Sequence, residues 1–197
     1  MRRPFFAILG GMGTLATESF IRLINQQTHA HCDQDFLDYV VFNDAGVPDR
    51  TAYIVDNTAD DPFPVIADDI KNAQLIGASF LVLTCNTAHY FYDQFQALTT
   101  LPILHMPREA VQYATNFYKP NARIGFMGTE GSVKIGVYER AIRDAGFEFI
   151  QPDNSLQQRI TALIYDNVKS GVFNKNAYDS TIQELLNPDG AYHCDAV

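Results

Sequence analysis

Phe80-Leu81-Val82-Leu83-Thr84-Cys85-Asn86-Thr87-Ala88-His89 joins an unbroken apolar run to a string of small polar residues. A strand without hydrophilic alternation is one buried on both faces, as in a parallel sheet covered by helices. A cysteine directly after such a strand lies at the sheet edge where α/β proteins place ligands. The backbone N–H groups that follow it, with the Asn86 and Thr87 side chains, can hold a carboxylate. A helix N-terminus also favours the thiolate, the form that acts as base or nucleophile. Free cysteines pack equally well as small hydrophobes, so position alone leaves Cys85 open between core residue and base. His89 reads as structural, close enough to tune the thiol.

The pattern extends in both directions. Upstream, Phe5 to Leu9 is a first strand, and Thr14 is the expected N-cap of a helix with Ala16, Phe20, Leu23 and Gln27 on one stripe. Tyr39 to Asn43 is a second strand, followed by a polar loop through Pro48-Asp49-Arg50 and a helix after Pro62 with Ile66, Ile70 and Ala73 inward. Tyr90 to Leu98 is helical, Ile103 to His105 a short strand, and Pro107 suits the first turn of a helix to about Phe117. The alternation then starts again. Arg123 to Met127 is a strand, Gly128 to Ser132 a loop, Val133 to Ala145 a helix and Phe147 to Ile150 a strand. Ser155-Leu156-Gln157-Gln158 reads as a capping box opening a helix with Leu156, Ile160, Leu163, Ile164 and Val168 inward, and Asn176 to Leu186 is a further helix. Alternating strands and helices predict two α/β domains, 1–105 and 106–197, with mostly parallel sheets. Asp195-Ala196-Val197 reads as the first steps of another strand, so the second domain is expected to be incomplete at its C-terminus.

Composition narrows the function. The 197 residues are 47% hydrophobic and 19% charged, ordinary for a soluble globular chain. A net charge of −9 argues against nucleic acid or an anionic membrane as partner. The start, Met1-Arg2-Arg3-Pro4 before Phe5 to Leu9, is too short in its apolar run for an export signal. The three cysteines Cys32, Cys85 and Cys194 lack metal spacing and are expected as reduced, cytoplasmic thiols. Cys32 beside His29 and His31 is a helix-end cluster, too poor in ligands and spacing for zinc, so no metal is expected.

Other residues admit two readings. Gly10-Gly11-Met12-Gly13 matches neither the dinucleotide fingerprint nor a Walker loop, and reads as a tight strand-to-helix turn. Met12 and Thr14 would still face the edge that carries Cys85. Arg50 could grip a carboxylate in bidentate fashion, but without further context a surface ion pair with Asp49 or a nearby acid is favoured. Lys169, in the last turn of its helix, complements the helix dipole and could also reach a ligand.

Together these stretches resemble the aspartate/glutamate racemase family over essentially the whole chain. The matching segments are Ile8 to Gly13, Asn43-Asp44 with Pro48 to Thr51, Thr84-Cys85-Asn86-Thr87-Ala88-His89, Leu101 to His105, Gly128-Thr129-Glu130-Gly131-Ser132 and Ile164 to Gly171. The resemblance implies two pseudo-symmetric, Rossmann-like domains with the active site in the cleft between them, a homodimer, and chemistry that needs no cofactor. It makes Cys85 the base for one enantiomer of a small amino-acid substrate, aspartate or glutamate first. Asn86, Thr87 and Thr129 would hold the α-carboxylate, Arg50 and Lys169 an acidic side chain, and Met12 would line the pocket. Thr14 and Ser132 depart tolerably from the family's common proline and threonine. The family's second cysteine follows the strand that Asp195-Ala196-Val197 begins, so it is expected to be missing, and Cys194 should not take its place. A truncated racemase with impaired racemisation is the reading that follows. The alternatives are a non-catalytic acidic amino-acid-binding protein and a related cysteine isomerase such as a maleate isomerase.

Overall fold

The computed structural model describes residues 3–56 and 59–197. Met1 and Arg2, part of the basic start weighed as an export signal, lie outside the described residues. The chain divides into two compact units, Met1–Met106 and Pro107–Val197. Each is a parallel sheet flanked by helices.

In the first unit, β1 (Phe6–Gly10), β2 (Tyr39–Asn43), β3 (Leu81–Leu83) and β4 (Ile103–Leu104) form one parallel sheet in the order β2-β1-β3-β4. All five residues of β1 and all three of β3 are buried, the signature of central strands covered on both faces. Alternation then sorts the side chains. Ala7, Leu9, Leu81 and Leu83 pack with Ile66, Ile70 and Ala73 of α3 (Phe63–Leu75) and with Phe91 and Phe95. Phe6, Ile8 and Val82 face Phe20, Ile21 and Ile24 of α1 (Thr14–Gln27).

Several local expectations need correction. The cap of α1 is Gly13 in extended conformation, and Thr14 is already helical. Its inward face carries Thr17, Phe20, Ile21 and Ile24, while Leu23 is 53% exposed. Thr17 can take a core position because its hydroxyl finds partners there, and this rotates the stripe away from Ala16 and Gln27. The loop expected at Arg50 is the start of α2 (Arg50–Val55), capped by Asp49, whose carboxylate accepts from the Ala52 amide at 2.9 Å. After Cys85 the chain makes a 3-10 helix, Thr87–Phe91, before α4 (Tyr92–Ala97).

In the second unit, α5 (Met106–Ala114), which begins at the last residue of the first, is shorter than its expected reach to Phe117. Parallel strands β5 (Arg123–Gly125) and β6 (Glu148–Ile150) follow. The single helix expected over 133–145 is two, α6 (Glu130–Ile135) and α7 (Val137–Asp144). They are broken at Gly136, whose φ of 63° is left-handed and natural to glycine. Ile124, Phe126 and Phe149 pack with Val111, Ala141 and Ile142, while Ile150 and Met127 pack with Leu156, Ile160 and Leu185.

Asp153, not Ser155, caps α8 (Asn154–Ala162), because the helix begins two residues earlier than the capping box implied. Leu163–Val168 continues it as a π-helix. The wider turn leaves Val168, expected inward, 47% exposed. After α9 (Lys175–Leu186), the strand expected at Asp195 to Val197 is present as one parallel bridge, Ala196 to Ile124.

Candidate active site

Parallel strands deliver their C-terminal ends to one edge. In the first unit that edge holds the Gly10–Gly13 loop after β1, Asn43-Asp44 after β2, Cys85 after β3 and His105-Met106 after β4. Leu9 pairs with Leu83, and the Thr84 amide donates to the Leu9 carbonyl at 3.0 Å, so the glycine turn and the cysteine turn leave the sheet side by side.

A hydroxyl pair welds the two turns. Thr17 Oγ1 lies 2.9 Å from Thr84 Oγ1, accepts from the Gly11 amide and lies 3.1 Å from the Gly13 carbonyl. Thr17 is 2% exposed. A Cβ on Gly10 would sit 2.4 Å from the Thr17 methyl, so only glycine admits this threonine. Gly11, with φ of 80°, lies against the Asp44 backbone. The reading of the glycines as a tight turn is matched here. Thr17, however, was missed as part of the site. Its only signal was a polar residue one turn into a helix that follows a glycine loop.

Arg50 corrects the surface reading. It is 7% exposed, and Asp49 gives a carboxylate oxygen to the Ala52 amide. Its Nη1 donates to the carbonyls of Val47 (3.0 Å) and Pro48 (2.7 Å), and Nη2 donates to that of Met12 (2.5 Å). Nε is buried with no partner among the described residues. A buried guanidinium with an unspent N–H retains the capacity to donate to an acceptor such as a carboxylate. Met12, 6% exposed, therefore shapes this edge through its carbonyl as well as its side chain.

Cys85 is 8% exposed and Thr87 6%, while Asn86 is exposed. His89 is 3% exposed, with Nδ1 2.9 Å from the Cys85 carbonyl and Nε2 3.2 Å from the Met106 amide. Burial holds its pKa below the ordinary histidine value, against the carbonyls of Cys85 and Leu104 that favour the charged ring.

Thr129 and Lys169 belong to the second unit. Thr129 caps α6, its hydroxyl accepting from the Ser132 amide at 3.1 Å and lying 3.1 Å from the Ser132 hydroxyl. Lys169 follows the π-helix, exposed, with Nζ 3.8 Å above the Tyr165 ring. Cys194 packs with Leu156, Ile160 and Leu185, and its thiol, 3.8 Å from the Tyr192 carbonyl, is pushed up in pKa chiefly by burial. Cys32 is exposed at the turn before a 3-10 helix, Asp33–Asp35. Among the described residues no group of three metal-binding side chains converges, and no helix is long and apolar enough to cross a membrane.

Residues 9–197 match the family described as Asp/Glu/Hydantoin racemase. The chain belongs to this family. Among curated proteins it is 28% identical over 165 residues to the broad specificity amino-acid racemase RacX of Bacillus subtilis (strain 168), covering 80% of the chain and 68% of RacX. It is 27% identical over 111 residues to the glutamate racemase of Persephonella marina, covering 56% of the chain but only 40% of that protein. Among solved structures, the Picrophilus torridus aspartate racemase shares 28% identity at a TM-score of 0.76, covering 94% of the chain and 75% of that structure. A putative Asp/Glu racemase from Yersinia pestis, at 22% identity and a TM-score of 0.70, shares the fold. By family the chain is an amino-acid racemase, with the two-domain α/β fold of these relatives.

Proposed function

We propose that this racemase acts on an acidic amino acid, aspartate or glutamate, with Cys85 as the base that removes the α-proton of one enantiomer. The observation that carries this reading is Arg50. It is a buried guanidinium, fixed by three carbonyls and with its Nε–H unpartnered among the described residues, at the sheet edge that presents Cys85. A fixed cation at this edge suits a substrate with a second carboxylate. The Picrophilus torridus aspartate racemase and the Persephonella marina glutamate racemase point the same way, whereas RacX carries a broad specificity.

The Cys85 thiolate takes the Cα proton and becomes a thiol. The electron pair left on carbon spreads into the α-carboxylate. That developing charge is weakly stabilised in water and strongly by fixed donors, a role assigned to the Asn86 and Thr87 groups and to Thr129. Arg50 and Lys169 take the side-chain carboxylate, and Met12 shapes the wall between. Return of a proton from Cys85 restores the starting enantiomer. Inversion needs a donor on the other face, and neither exposed Cys32 nor Cys194, enclosed among Leu156, Ile160 and Leu185, is assigned that role. The alternative reading is an acidic amino-acid-binding domain without turnover, in which Cys85 would serve as a ligand contact.

Solvent-deuterium incorporation at Cα, compared for aspartate, glutamate and alanine, tests the proposal. Incorporation into one enantiomer of an acidic amino acid, with alanine inert, is the expected result. Equal incorporation into alanine overturns the acidic assignment, and binding with no incorporation into any substrate establishes the second reading.

A further inference from the structure

We infer that His89 is a positioning residue for Cys85, held by the Met106 amide as the neutral Nδ1–H tautomer so that its ring donates to the carbonyl of Cys85 itself. The inference rests on the reading of Cys85 as the base, and it assigns His89 no proton transfer.

The need arises in the backbone. In an α-helix the carbonyl of residue 85 would accept from the amide of residue 89. The turn here is 3-10, and the His89 amide goes to Asn86 O at 3.2 Å. The Cys85 carbonyl, in a residue only 8% exposed, receives the side chain of the same histidine at 2.9 Å. A buried carbonyl without a donor is costly.

The tautomer follows from the other nitrogen. The Met106 amide can only donate, and it lies 3.2 Å from Nε2. Nε2 must therefore present a lone pair, and the single ring proton resides on Nδ1. A second proton would set N–H against N–H at Met106. Although the Leu104 carbonyl favours the charged ring, burial outweighs it and keeps the ring neutral. His105, its ring centroid 5.0 Å away, and Tyr92, stacked at 6.2 Å, wall the imidazole on its sides. The ring thus ties the turn after β3 to the second residue after the end of β4, its neighbour in the sheet. The angle at which Cys85 leaves the sheet is set by a side chain four residues on.

Two measurements test this. Ring-nitrogen NMR of the histidine-labelled chain should show His89 protonated at Nδ1 and bare at Nε2 at neutral pH. An Nε2–H tautomer or an imidazolium there overturns the inference. Second, the alkylation rate of Cys85 by iodoacetamide at fixed pH is read by site-resolved mass spectrometry in two isosteres. His89→Asn keeps a donor where Nδ1 stands, and His89→Gln keeps an acceptor where Nε2 stands. The Gln variant should change the Cys85 rate by about three- to tenfold, the span of one hydrogen bond. The Asn variant should stay within about twofold of the parent while the Met106 amide exchanges faster with solvent. Equal effects of the two variants, or the reverse order, overturn the inference. Neither readout requires turnover, so failure of the racemase reading, seen as absent deuterium incorporation, is distinguishable from failure here.

Discussion

The two units hold their candidate residues in different ways. In the first, Arg50, Thr17, Thr84 and His89 are buried and bonded to backbone groups of neighbouring strand ends. In the second, Thr129 spends its hydroxyl on capping a six-residue helix, and Lys169 stands exposed over Tyr165. The contrast follows from the sheets. Four parallel strands bring four turns to one edge, whose amides and carbonyls bond to one another's side chains. Two strands and a single bridge bring fewer. Rigidity of the first edge suits a base and a charge that must not move, and preorganised dipoles are worth most where they cannot relax. The second unit's Lys169, exposed on one long side chain, is not fixed in this way.

The sharpest way to break this contrast is Arg50→Ala, which leaves the carbonyls of Met12, Val47 and Pro48 without their donor. Equilibrium denaturation should show a loss of about 2–5 kcal/mol. A smaller cost is expected for Thr17→Val, which keeps the shape but strands the Gly11 amide and leaves the Thr84 hydroxyl only the Leu9 carbonyl. The same assay should report a loss of about 1–3 kcal/mol. Lys169→Met should leave stability within about 0.5 kcal/mol yet raise KM for the acidic substrate about tenfold. A stability loss as large as that of Thr17→Val would show that the second unit is built like the first.

The smallest effect concerns Asp69 on α3, whose carboxyl is pushed up to about 6 by burial first, then by Asp44 and Asp68. A raised pKa means that the folded state binds this proton more tightly than the unfolded chain. Its stabilising contribution is full below pH 3.8 and is lost as pH rises through about 6. The group is partly solvated, so the loss should stay under about 1 kcal/mol. Asp69→Asn, which cannot ionise, should flatten the decline between those values in denaturation curves taken across pH.

The strands and α3 were legible because their signals are apolar and dense, as in Ile66, Ile70 and Ala73, all buried as expected. The cysteine edge was legible because a buried strand followed by small polar residues has few other interpretations. What escaped the sequence is polar material in apolar places. Thr17 turned the α1 stripe because a threonine counts as surface until its partners, Gly11 and Thr84, are seen in space. Arg50 was favoured as a surface cation because carbonyls carry no signature in sequence. Backbone irregularities were equally silent. The left-handed Gly136 splits a helix that periodicity runs straight through, and the π-helix at Leu163–Val168 shifts Val168 outward by widening one turn.

The most direct test of Cys85 as base is deuterium incorporation at Cα of the preferred acidic amino acid, measured for each enantiomer with the parent chain and with Cys85→Ser. The account predicts incorporation into one enantiomer by the parent and a fall of about 10²–10⁴-fold in the variant, with its circular dichroism unchanged. A serine variant that exchanges the α-proton at the parent's rate would contradict it.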